Sequence, residues 1–194
     1  MVGENTVLES IEDSLACISG LREEVGPIAA VCDVVIDALK SGRKILTAGN
    51  GGSAAEALHM AEELVGRFRG DRLSLPAVSL VADCTALTCI GNDYGFDCIF
   101  SRQVEGLGQA GDVLVVFSTS GNSRNLVLAV EAAKSRGVVS VALLGRDGGA
   151  LAGVADHEIV VAGSATEHIQ EAHQVLLHII LNEVESVFFT QEEL

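Results

Sequence analysis

Apolar residues at Val7, Leu8, Ile11, Leu15 and Ile18 recur at helical spacing through residues 5–24, so the chain opens on an amphipathic helix. Pro27 fits the first turn of a second helix running to about Lys40, where a missing backbone donor costs nothing. After "SGRK" the pattern changes. Five short runs rich in β-branched residues follow, at 44–49, 76–81, 112–119, 138–145 and 156–163, each bounded by Gly, Pro or Asp. Helical patterns fill the intervals at 53–68, 84–91, roughly 96–109 and 122–136, and a long one runs from Thr166 to about Phe189. Strands alternating with helices predict an α/β fold, a five-stranded parallel sheet with helices on both faces. To this are added an N-terminal helical pair and the long C-terminal helix. The expected division is residues 1–41 for the N-terminal helices, packing on the domain and in an oligomer, and 42–194 for the α/β domain.

At 194 residues the chain is long enough for one full domain, and its 48% hydrophobic and 20% charged content is that of a globular protein. With 4% aromatics and no Trp, the core must be built from Ala, Val, Leu and Ile. A net charge of −15 argues against nucleic acid, and the densest basic stretch, "GRFRGDR", is interrupted by Asp71. A phosphate held by so acidic a chain must be held by backbone N–H groups and hydroxyls. Five scattered cysteines with no C-x-x-C pair suit a reducing compartment. The acidic start "MVGENTVLESIEDS" lacks a signal peptide's basic and apolar regions, and no apolar run approaches the ~20 residues that cross a membrane. The expectation is a cytoplasmic protein without membrane or nucleic-acid partners.

Two loops carry candidate chemistry. "GNGGS" (49–53) follows a strand and opens a helix, where glycines let a ligand approach backbone N–H groups; it reads equally as a tight βα turn. "FSTSGNS" (117–123) gathers Ser118, Thr119, Ser120 and Ser123 around Gly121 at another helix start. An N-cap needs one hydroxyl, so four in six residues point to a neutral cradle for a phosphate dianion. His59 and Glu63 stand at i and i+4 and share a helix face, as a functional pair or an ordinary polar one. In the C-terminal helix, His178 interrupts the apolar run "VLLHIILN", where a buried ring needs a partner; a core histidine and a site residue both remain open. Gln170, eight residues earlier, is ~12 Å away along the axis, so both side chains can just reach one point between them. "IGNDYG" (90–95) is a further polar knot, expected between two helices.

Taken together, "GNGGSAAEALHMAEELVGRF", "IGNDYGFDCIFSRQVE", "GDVLVVFSTSGNSRN", "LLGRDGGALAG" and "EHIQEAHQVLLHI" resemble, in order and over nearly the whole chain, the phosphoheptose isomerase branch of the sugar-isomerase (SIS) family. The resemblance implies an aldose–ketose isomerase converting sedoheptulose 7-phosphate to D-glycero-D-manno-heptose 7-phosphate through an enediol, the first step toward heptose of surface glycans such as lipopolysaccharide. It further implies a cytoplasmic homotetramer with active sites at subunit interfaces. Carried over by position, Asn50, Gly51, Gly52, Ser53, Glu63, Asn92, Asp93, Ser118, Thr119, Ser120, Ser123 and Gln170 would contact substrate. Glu63 and His178 would be the catalytic pair, and zinc, one per subunit, would bind through His59, Glu63, Gln170 and His178. Glu167 departs from the pattern, standing where several relatives carry a shorter acid. The alternative is a non-catalytic SIS paralogue that binds a partner protein such as a replication initiator; such paralogues lack the Glu and the late His, both present here as Glu63 and His178.

Overall fold

The computed structural model describes residues 3–189, so the last five positions of the predicted 42–194 domain lie outside the described residues. Seven α-helices are α1 (Glu4–Gly20), α2 (Val25–Lys40), α3 (Gly52–Val65), α4 (Cys84–Tyr94), α5 (Ser101–Leu107), α6 (Arg124–Arg136) and α7 (Thr166–Phe188). Five strands are β1 (Ile45–Gly49), β2 (Ala77–Ser79), β3 (Val113–Ser118), β4 (Val139–Gly145) and β5 (His157–Val161). All are parallel, in the order β2-β1-β3-β4-β5. The expected five-stranded sheet is what forms, with both faces covered.

The continuous apolar run of β3 buries every residue from Val113 to Ser118, the mark of a central parallel strand. Its side chains alternate between two cores. Val113, Val115 and Phe117 join Ile45, Val141, Leu143 and Ile159 beneath α2, α3 and α7. Leu114 and Val116 join Leu46, Ala142 and Leu144 beneath α5 and α6. The strand ends are tied by Asp112, which accepts hydrogen bonds from the Lys44 and Gln109 amides at 3.1 and 2.8 Å and pairs with the Lys44 ammonium. Burial alone would push the Asp112 carboxyl upward, but these donors outweigh it and hold the pKa below the ordinary value.

Three departures from the sequence pattern have local causes. The edge strand β2 is only three residues long because the chain turns at Leu80–Val81, where the Ala82 amide bonds the Ser79 carbonyl at 3.1 Å. The helix expected over 96–109 breaks into a 3-10 turn at Phe96–Cys98 and α5, which stops before Gly108. The "IGNDYG" knot is not a loop: α4 continues through Asn92 and Asp93 to Tyr94 and ends on Gly95 at φ 87°. Among the described residues, no helix is long and apolar enough to cross a membrane.

Candidate active site

The strand order reverses between β1 and β3, the switch point at which open α/β sheets leave a crevice beyond the strand C-termini. The two loops singled out in the sequence leave the sheet there, side by side. Asn50, on the first, and Asn125, in the first turn of α6, exchange paired amide hydrogen bonds of 2.9 Å across the gap. In the glycine turn, Gly51 adopts φ 58°, disfavoured for other residues, and Gly52 leaves room for Gln170: a Cβ there would stand 2.9 Å from the Gln170 amide carbon. Ser53 is buried, its amide bonded to the Asn50 carbonyl at 3.1 Å.

The serine loop is wired internally. Ser118 Oγ accepts from the Gly121 amide at 3.0 Å, and Ser120 Oγ from the Asn122 amide at 3.2 Å. A glycine turn at 148–149 closes over it: the Leu151 amide donates to the Gly121 carbonyl and the Ala150 amide to Asn122 Oδ1, both at 3.0 Å. A Cβ on Gly121 or Gly149 would strike the opposing backbone, so the two loops fit only as glycines. Ser118 is buried, Thr119, Ser120 and Ser123 are half-buried, and α6 begins just after Ser123. Sequence reading missed Asn122, Asn125, Gly148 and Gly149; "GRDGG" was legible as a turn, but its cover over the serines is a tertiary contact.

A second polar region runs between α3 and α7. Thr47 Oγ1 donates to the Ala57 carbonyl at 2.6 Å, fixing α3 against β1. At the other end, Arg72 donates to the Glu63 and Leu64 carbonyls at 2.6 and 2.9 Å, a cation on the terminal carbonyls of α3. Between these ties His59 and Glu63 meet, Nε2 to Oε1 3.3 Å, while His59 Nδ1 lies 2.9 Å from Gln174 Oε1. The His178 ring stands edge-on to His59 with centroids 5.3 Å apart and stacks on Phe68 at 5.8 Å. Ligand atoms of His59, Glu62 and Glu63 lie within 4.8 Å of one another; Glu62 faces solvent and was not among the expected ligands. Gly52, Glu56, His59, Glu167, Gln170 and Gln174 line one open hollow of about 530 Å³.

His178 is exposed in the single chain, so it is not a core histidine. That place belongs to His173, fully buried, whose Nε2 donates to the Leu144 carbonyl at 3.0 Å and whose Nδ1 lies 3.8 Å from Glu56 Oε2. Loss of solvation, then the neighbouring His59 and Arg69 charges, lowers the His178 pKa, with Glu63 opposing; the neutral imidazole is favoured. Asn92 and Asp93 are exposed on α4, bonded to each other at 2.7 Å, with Cys89 beside Asp93. Their described hydrogen bonds do not reach His59 or Glu63. The structure thus brings His59, Glu63 and His178 together and places Gln170 against the glycine turn, while the hydrogen bonds of Asn92 and Asp93 stay within α4.

The SIS domain model matches residues 10–145 of this chain. The chain belongs to the SIS domain family. A phosphoheptose isomerase of Geobacter sulfurreducens is 49% identical over 183 residues, covering 94% of this chain and 92% of that protein. Among solved structures, the phosphoheptose isomerase of Neisseria gonorrhoeae superposes with a TM-score of 0.89 at 42% identity, covering 94% of this chain and 98% of the other. That of Francisella tularensis gives 0.91 at 33% identity, covering 96% and 100%. The SIS fold accounts for the adjacency of glycine turn and serine loop at the switch point, and the likeness reaches beyond the matched family segment into α7.

Proposed function

We propose that this protein is a phosphoheptose isomerase, interconverting sedoheptulose 7-phosphate and D-glycero-D-manno-heptose 7-phosphate. The observation that carries this reading is the meeting of His59, Glu63 and His178 on the α3–α7 seam, with the glycine turn opening α3 and the serine loop leaving the neighbouring strand, in a chain about half identical to phosphoheptose isomerases. The serine loop and the first turn of α6 anchor the phosphate through hydroxyls and amides, so an acidic chain needs no lysine there. Isomerisation then requires one proton to leave C1 of the ketose and one to arrive at C2, while a hydroxyl proton passes from O1 to O2. Glu63 takes the carbon-bound proton and returns it to the neighbouring carbon. His178, favoured in its neutral form, accepts and donates the hydroxyl proton. Gln170, held over Gly52, is placed to hydrogen-bond a sugar hydroxyl entering above the turn.

The donors also suit zinc. His59 Nδ1 engages Gln174 Oε1 at 2.9 Å and Nε2 stands 3.3 Å from Glu63 Oε1, an imidazole nitrogen beside a carboxylate oxygen, both ordinary zinc ligands. His59, Glu63, Gln170 and His178 would hold the metal, which when bound stabilises the negative charge of the enediolate.

The protein works as a cytoplasmic homotetramer with the site completed between subunits. Support comes from α1, whose Val7, Leu8, Ile11 and Leu15 are 50–57% exposed in the single chain, and from the solvent-facing His178. Purified protein incubated with sedoheptulose 7-phosphate is expected to yield an aldoheptose 7-phosphate. Tight binding of the ketose phosphate without turnover would instead favour the non-catalytic paralogue.

A further inference from the structure

Gln174 stands on α7 one turn after Gln170 and one turn before His178, half-buried, on the face that α7 turns toward α3. Its Oε1 lies 2.9 Å from His59 Nδ1. A carbonyl oxygen only accepts, so Nδ1 carries a proton, and whenever the ring is neutral its lone pair is on Nε2. That nitrogen is the one 3.3 Å from Glu63 Oε1. The other candidates for this role are engaged elsewhere: Gln170 packs over Gly52, and His178 meets His59 ring against ring rather than through a hydrogen bond. We propose that Gln174 is a positioning residue that fixes the tautomer and orientation of His59, presenting Nε2 beside Glu63 as a metal-ligating or proton-accepting pair.

Without this bond no described side chain would hold Nδ1, and 31% of the His59 side chain faces solvent. Outer partners of ligating histidines act in this way, and losing one typically lowers metal affinity about 10–100-fold. The inference deepens the isomerase reading and rests on it for the use to which the pair is put; the tautomer itself does not depend on that reading.

Gln174→Met keeps the side-chain length and helix propensity but removes the acceptor, whereas Gln174→Glu retains an acceptor at the same place. Histidine-labelled wild type and both variants are compared by nitrogen NMR without metal at about pH 8, where free imidazoles are neutral, and by zinc competition against a chromophoric chelator. Wild-type His59 is expected as the Nδ1–H tautomer. Q174M should populate both tautomers and bind zinc about 10–100-fold more weakly, and Q174E should restore the Nδ1–H form. A Q174M protein with unchanged tautomer and unchanged zinc affinity overturns the proposal, as does a Q174E protein as mixed in tautomer as Q174M. A wild type that shows the Gln174-dependent tautomer yet never isomerises the sugar phosphate removes the functional reading and leaves the positioning role standing.

Discussion

The serine loop and the α3–α7 seam are both polar, but they are built in opposite ways. In the loop, the bonds that shape residues 118–122 span two or three positions, and the 148–151 turn seals them. In the seam, His59 reaches a partner 115 residues away and Glu63 faces the other imidazole nitrogen at 3.3 Å. A locally wired loop is rigid before any ligand arrives, which suits an anchor for a fixed dianion. A seam between two helices carries groups whose protons and ligands can change, which suits chemistry. The contrast teaches where a substitution should alter rate and where it should alter affinity.

The largest effect belongs to the seam. Glu63→Gln and His178→Gln are each expected to lower kcat by about 10²–10⁴, with folding and KM little changed, as read by steady-state kinetics and circular dichroism. Equal losses in kcat and in affinity would erase the division between the two regions. Next comes the loop. Ser120→Ala with Ser123→Ala removes two hydroxyls from the phosphate cradle, and at ~1.5–3 kcal/mol per charge-assisted bond the affinity for the sugar phosphate should fall at least tenfold. Calorimetric titration showing wild-type affinity would move the phosphate elsewhere.

Chelation sharpens the comparison further. If zinc serves the reaction as proposed, a chelator should slow turnover while leaving phosphate-sugar affinity within a few fold, because none of the proposed metal ligands lies in the serine loop. Unaltered turnover in fully metal-free protein would leave His59, Glu63, Gln170 and His178 as acid–base and hydrogen-bonding groups alone.

The smallest effect lies outside both regions and serves as a control. Asp112→Ala strips partners from Lys44 and Gln109 at the base of the sheet and should cost about 1.5–3 kcal/mol of stability without changing KM. Because the folded Asp112 pKa lies below the unfolded one, its contribution is present above the unfolded value of about 4 and is lost as pH falls through the folded value. Urea midpoints of wild type and variant should therefore converge in acid. A gap that stays constant as the pH falls would discard the ion pair as its cause.

The sheet was legible because its central strands are short, mainly apolar runs rich in β-branched residues, "VLVVF" being the plainest. The serine loop was legible for the same reason that it is rigid: its partners are neighbours in the chain. The seam was half legible. His59 and Glu63 declare themselves at i and i+4, and their position beside His178 came from the family resemblance rather than from periodicity. The run "VLLHIIL", apolar on every side, misled as to which histidines of α7 are buried: they are His168 and His173, and His178 is exposed. Position 173 falls with Ile169, Leu176 and Ile180 on the core face, while 178 follows Gln170 and Gln174 along the polar one. That i, i+4, i+8 ladder was present in the sequence and would have pointed to Gln174. The Glu56–His173 pair had no such signal, because α3 and α7 meet only in the fold.

The central claim is that Glu63 moves a proton between adjacent carbons of a phosphate-anchored ketose. Sedoheptulose 7-phosphate incubated with the enzyme in D₂O, and followed by proton and carbon NMR, should give aldoheptose 7-phosphate carrying deuterium at C2, with Glu63→Gln forming it about 10²–10⁴ times more slowly. An aldose formed without deuterium, or formed at the wild-type rate by Glu63→Gln, would contradict the account.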